Sequence, residues 1–174
     1  NNNSTSSVLL KSMSNQMSDY STYEIVWNVC NYIKDSGIDF SKFDANNDKR
    51  IDALIIVHAG YPAEDSNYAI NSDYNQNKIW SHKSNVDFSL NTDYKIIDYM
   101  VISQYSKLGI FCHEFGHLLG LPDLYDSVLG ESVCDKWELM DSGGWAKVGN
   151  EYYGETPTHL SAWSKQYLGW ADVK

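Results

Sequence analysis

Residues 113 to 123 read His-Glu-Phe-Gly-His-Leu-Leu-Gly-Leu-Pro-Asp, an H-E-x-x-H-x-x-G-x-x-D string. On an α-helix of 3.6 residues per turn, His113 and His117 leave the same face one turn apart and can grip one ion. Zinc accepts imidazole nitrogen and carboxylate oxygen, and a catalytic zinc keeps three protein ligands and one water. Glu114, one position on from His113, is then the base for that water, whose pKa the metal lowers towards neutrality. Gly120 suits a left-handed helix end and Pro122 cannot continue the helix, so the chain turns back. That return lets Asp123 serve as the third ligand, whereas a straight helix would carry it about 9 Å along the axis from His117. Asp126 is the fallback ligand. The competing readings are an amphipathic helix whose apolar face is Phe115, Leu118, Leu119 and Leu121, and a zinc hydrolase that is not a peptidase.

The surrounding chain must position this string. Ser21-x-x-Glu24 reads as a capping box, followed by Ile25, Val26, Val29, Cys30 and Ile33 at helical spacing and Gly37 as the stop. Ala53 to Val57 and Tyr94 to Ile102 read as strands, the first a continuous apolar run and the second rich in β-branched and aromatic residues. Thr156-Pro157 reads as the N-cap and first position of a last helix that Gly169 closes. Between the first helix and first strand, Asp44, Asn46, Asp48, Arg50 and Asp52 fall at positions 1, 3, 5, 7 and 9 of a calcium-type loop. Position 6 is Lys49 instead of glycine, and position 12 is Ile55 instead of glutamate. His58, His82 and His159 are read as structural, since lone histidines without a partner at ligand spacing usually are.

The zinc string, extended through Leu124-Tyr125-Asp126, resembles that of the metzincin clan and, within it, the secreted immune-inhibitor-A-like peptidases. Trp137-Glu138-Leu139-Met140-Asp141-Ser142-Gly143-Gly144-Trp145 resembles the clan's methionine turn, which implies Met140 as the floor of the zinc site. Val57 to Gly60, Ile79 to His82, Pro157 to Lys165 and Leu168 to Trp170 look like further family segments, so the resemblance spans about residues 40 to 170. It implies a zinc endopeptidase with a substrate docked along a strand edge, Pro157 near the wall of the primed-side pocket, and calcium in the 44–52 loop. One departure is Ser142, which stands where some metzincins carry a metal-binding tyrosine. Tyr152 or Tyr153 could help stabilise an oxyanion, but in a chain with 13 tyrosines a plain packing role is the expected one.

Composition bounds the rest. A chain of 174 residues with 43% hydrophobic and 14% aromatic content suits one globular domain. A formal charge of −10 argues against nucleic acid or anionic membrane as partner and favours cationic or neutral peptides. The three cysteines are no disulfide framework, and Cys112 with Cys134 is the first pairing to expect. Cys112, about 100° around the helix from His113, should face away from the metal.

The fold expected is an α/β (α+β) metzincin-like zincin. It has a twisted mixed sheet with backing and active-site helices, and a small irregular C-terminal subdomain with a terminal helix. One catalytic domain covers residues 1–174, with subdomains 8–120 and 121–174 and a disordered linker over 1–7. The function expected is zinc-dependent hydrolysis of peptide bonds in a secreted protein. A non-proteolytic zinc-binding or adhesion module, or a small-amide zinc hydrolase on the same fold, is the alternative. The partners implied are protein or peptide substrates, with a prosegment and further domains in a longer precursor.

Overall fold

The computed structural model describes residues 22–64, 79–91, 93–126 and 128–172. The expected linker at 1–7 and the N-cap Ser21 lie outside them. Helix α1, Thr22–Lys34, buries Ile25, Val26 and Cys30, the stripe its spacing predicts, and Gly37 follows it at φ +73°. Strands β1 (Leu54–His58), β2 (His82–Ser89) and β3 (Lys95–Ser103) form a mixed sheet in the order β1-β3-β2. β1 runs parallel to β3, with Ile56 opposite Val101, and β2 is antiparallel, with His82 opposite Val101. β3 is the central strand, and its apolar run fits burial on both faces. Ile96, Met100 and Val101 are at most 1% exposed.

β2 did not announce itself in the sequence. Its first half, His-Lys-Ser-Asn, carries no apolar residue, and only Val86 and Phe88 alternate into the core. A register shift between Asn85 and Phe88 bends it there.

Helix α2, Leu108–Leu118, carries the zinc string and separates two cores. One joins α1 to the sheet through Val26, Phe88, Ile96 and Val101. The other is built from Leu121, Leu139, Met140 and Leu160, with Cys112, Leu124 and Leu168 packed against it. Much of the C-terminal part is turns, including two short 3-10 segments at Asp135–Trp137 and Ser142–Trp145.

The last helix, α3, is shorter than expected and starts later, at Ala162–Tyr167. Thr156-Pro157 is therefore not its cap. Ser161 is, its hydroxyl accepting the Ser164 amide, and Gly169 closes the helix at φ +70°. The preceding backbone is pinned elsewhere, with the Thr158 amide on the Gly143 carbonyl at 3.1 Å and the Ser161 amide on Glu138 Oε2 at 2.7 Å. No helix among the described residues is long and apolar enough to cross a membrane.

Candidate active site

α2 ends in a left-handed glycine turn, as its sequence predicts. Gly120 sits at φ +98°, its amide bonds to the His117 carbonyl at 3.0 Å, and the Leu121 amide reaches the Gly116 carbonyl at 3.0 Å. The Leu124 amide then donates to the Met140 carbonyl at 2.8 Å, tying the returning chain to the methionine turn. The consequence is convergence of His113, His117 and Asp123, whose ligand atoms all lie within 4.8 Å of one another. Among the described residues this is the one such group of three or more histidine, cysteine or acidic side chains.

The orientation of each ring has a backbone cause. His113 Nδ1 faces the Leu139 carbonyl at 3.0 Å and His117 Nδ1 faces the Leu121 carbonyl at 2.8 Å. A carbonyl only accepts, so each Nδ1 carries the proton and each Nε2 presents a lone pair inward. Asp123 Oδ1 lies 3.1 Å and 3.2 Å from those two nitrogens, yet as a buried acceptor facing two other acceptors it has no hydrogen-bond partner. Three lone-pair atoms in such proximity are stabilised by a cation between them, or by a proton in its place. The donor set, two imidazoles and a carboxylate with backbone carbonyls behind the rings, fits zinc. Proton binding shows in the electrostatics. Burial pushes both imidazoles down, but Asp123 and the carbonyls outweigh it and leave both above their ordinary value. Burial likewise pushes Asp123 up, and the two histidines overcome it, holding the carboxyl well below the usual range.

Glu114 is 9% exposed, and burial raises its carboxyl above the ordinary value against the pull of the two histidines. Its Oε2 accepts the backbone amide of Lys83 at 2.7 Å. The edge strand that the sequence reading missed thus holds the candidate base.

Met140 is fully buried beneath α2. A Cβ on Gly116 would lie 2.5 Å from its sulfur, so the glycine between the two histidines is what lets the methionine approach. Two carboxylates order the turn around it. Glu138, fully buried, receives the amides of Met140 at 3.2 Å and Ser161 at 2.7 Å. Asp141 accepts the amides of Val133, Cys134, Asp135 and Ser142 and the hydroxyl of Ser132. Both residues stand in the segment that resembles a methionine turn, but their linear position carries no sign of these bonds.

Pockets flank the group. One of about 290 Å³ is lined by His113, Glu114, Trp80, Tyr125 and Trp145, and another of about 420 Å³ by His117, Asp123, Lys83 and Tyr167. The other residues that the sequence singled out lie elsewhere. Pro157 lines neither; it borders a separate apolar pocket with Phe111, Phe115 and Trp170. Asp126 is not brought to the group, because its Oδ1 caps a turn by accepting the Val128 and Leu129 amides. Tyr152 and Tyr153 are 61% and 53% exposed and line none of these pockets. Cys112 and Cys134 are free thiols, as is Cys30. Cys112 packs into the second core, while Cys134 stands on the Asp141 turn.

The 44–52 loop folds onto itself. Asp44 accepts the Asp48 and Lys49 amides, Asn46 the Asp48 amide, Asp48 the Arg50 amide and Asp52 the Ala45 amide. Lys49 takes the left-handed conformation, φ +67°, that a glycine would adopt more cheaply. His58 is buried with Nδ1 on the Ala59 carbonyl, His82 packs edge-on to Tyr99, and His159 borders the apolar pocket.

Comparison with known proteins agrees with this geometry. The family described as "Immune inhibitor A peptidase M6, catalytic domain" matches residues 9–171. "Pre-pro-metalloprotease PrtV" of Vibrio cholerae is 37% identical over 135 residues, covering 68% of this chain and 14% of that protein. "Immune inhibitor A" of Bacillus thuringiensis subsp. alesti is 32% identical over 174 residues, covering 80% of this chain and 24% of that protein. The chain thus spans less than a quarter of these curated relatives.

Proposed function

From the premise that this chain belongs to the immune inhibitor A peptidase M6 family, we propose that it is the catalytic domain of a zinc-dependent endopeptidase. The observation that carries the reading is the inward convergence of His113 Nε2, His117 Nε2 and Asp123 Oδ1 beside a buried glutamate. In this reading His113, His117 and Asp123 bind zinc, Glu114 is the catalytic base and Met140 is the floor under the site. Bound zinc supplies a water of lowered pKa and polarises the scissile carbonyl. The protein's own groups do the rest. Glu114, steadied by the Lys83 amide, takes the proton of the attacking water and hands it to the leaving amine. The Leu139 and Leu121 carbonyls keep both imidazoles in the metal-binding tautomer.

The edge position of β2 supports substrate docking by strand addition, since its outer side is free of a partner strand among the described residues. The substrate is a protein or peptide and the setting extracellular, within a longer precursor that carries a prosegment and further domains. Residues 8–120 and 121–174 act as two subdomains around α2, a division supported by the two cores. The loop from Asp44 to Asp52 takes calcium as a structural ion, Asp44, Asn46, Asp48 and Asp52 offering the side-chain oxygens that now accept backbone amides and Arg50 its backbone carbonyl.

The test is degradation of unfolded casein by zinc-loaded protein and by Glu114→Ala, each shown by elemental analysis to hold one zinc. Wild-type cleavage should fall by about 10²–10⁴-fold in the variant while zinc stays bound. Zinc-loaded wild type that cuts neither casein nor peptides defeats the endopeptidase reading, and turnover of small amides alone would point to an amidase.

A further inference from the structure

Resting on the peptidase reading, we propose that Tyr125 is a catalytic residue whose hydroxyl donates a hydrogen bond to the scissile carbonyl oxygen as it becomes an oxyanion. Tyr125 lines the pocket onto which His113 and Glu114 open. Its ring lies over His113, centroids 6.4 Å apart and planes 20° from parallel, and its hydroxyl interacts with Asp123. The ring therefore borders the pocket beside the metal group, where the substrate carbonyl must be polarised.

The donor is held in place before substrate arrives. On one side the Leu124 amide is fixed to the Met140 carbonyl, and Tyr125 itself bridges antiparallel to Ser132. On the other, the Asp126 amide donates to the Glu131 carbonyl at 2.8 Å and the Asp126 side chain caps the turn. A donor so placed needs no reorganisation as charge develops, which is what makes an oxyanion contact effective. The O–H rotor can turn from Asp123 to an incoming oxygen without moving the ring.

Competing hydroxyls are engaged or distant. Ser132 and Ser142, which line the same pocket, both donate to Asp141 Oδ1, at 2.6 and 3.1 Å. Tyr152 and Tyr153 sit outside it, under the ammonium groups of Lys107 and Lys147 at 5.0 and 4.4 Å.

The experiment compares zinc-loaded wild type with Tyr125→Phe on one peptide substrate and on a peptide phosphonate that mimics the tetrahedral state. A contact made only as charge develops predicts kcat lower on the order of 10²-fold with KM changed by less than about twofold. Phosphonate affinity should fall by a similar factor, while zinc content and Tm stay at wild-type values. An active wild type whose Tyr125→Phe variant keeps kcat and phosphonate affinity within about threefold overturns the proposal alone. So does a variant whose lost activity tracks lost zinc, because Tyr125 would then serve Asp123 and not the substrate. A wild type that cuts no peptide overturns the peptidase reading and this proposal with it.

Discussion

Replacing Asp141 with asparagine should destabilise the protein by about 3–5 kcal/mol, because the carboxylate is the acceptor around which the methionine turn folds. It is 3% exposed. Its Oδ2 receives three backbone amides, Val133 at 2.9 Å, Cys134 at 2.6 Å and Asp135 at 3.0 Å. Its Oδ1 receives the Ser142 amide at 2.7 Å and the Ser132 and Ser142 hydroxyls. The less costly placement of the new amide group is at Oδ1, since hydroxyls can reverse to accept while backbone amides cannot. The Ser142 amide then loses its acceptor, at about 1–3 kcal/mol. The three amides at Oδ2 keep a neutral acceptor that binds about half as strongly as a charged one, a further loss of about 2 kcal/mol. For a chain of this length, 1 kcal/mol moves Tm by about 2–4 °C, so the variant should melt about 6–20 °C lower at pH 7.

Acid supplies the control on this reasoning. Burial pushes the Asp141 carboxyl up, but the hydrogen bonds from Ser132, Cys134, Ser142 and Val133 prevail and hold it below its ordinary value. With a folded pKa below the unfolded one, the unfolded chain binds more protons in acid, so stability rises with pH through that range. The contribution is fully present above about pH 4 and is lost as pH falls through the folded pKa. Asparagine has no such titration, so the gap in Tm should be widest near neutrality and narrow in acid. Protonation of the histidines is common to both proteins and cancels in the difference. A melting series from pH 7 down to about pH 2.5 reads it directly. A gap under about 2 °C at pH 7, or one that stays constant into acid, refutes this account of the turn.

Three further outcomes are expected. Gly109→Ala would set a Cβ well inside contact distance of the Gly144 carbonyl and 3.2 Å from Gly154 O, against which α2 docks. The overpacking should cost about 1–3 kcal/mol and weaken zinc binding, whereas Leu108→Ala, 58% exposed on the same turn, should do neither; equal zinc affinity in both variants would dismiss that docking. Alkylation without reductant should label three thiols, Cys112 and Cys134 in the native protein but Cys30 only after unfolding, because burial pushes that thiol up to about 11; fewer than three labels in denaturant would reinstate a disulfide. Millimolar calcium should raise the Tm of EDTA-stripped, zinc-reloaded protein, as any ion bound only by the folded state must. An unmoved Tm removes calcium from the 44–52 loop.

What the sequence determined by itself is local. The string from His113 to Asp123 carries the i, i+4 histidines, the base and the glycine that ends the helix within eleven residues, so helical geometry predicts the shared face of the two histidines and the turn that brings the chain back. The apolar stripe of α1 and the strand runs of β1 and β3 were legible for the same reason, as periodicity reports burial of elements packed on one core. Everything that depends on contacts between distant segments needed the tertiary structure. β2 is polar over its first half, and its place as the edge that grips Glu114 through Lys83 follows from pairing with β3. The late start of α3 follows from bonds that pull the preceding chain onto Gly143 and Glu138, which override the local Thr-Pro signal. Asp141 and Tyr125 stand in segments that carry the family resemblance, but their positions along the chain say nothing of their contacts. Their roles arise because folding brings donors from residues 132 to 142 onto one carboxylate, and sets one of the chain's 13 tyrosines beside the metal group.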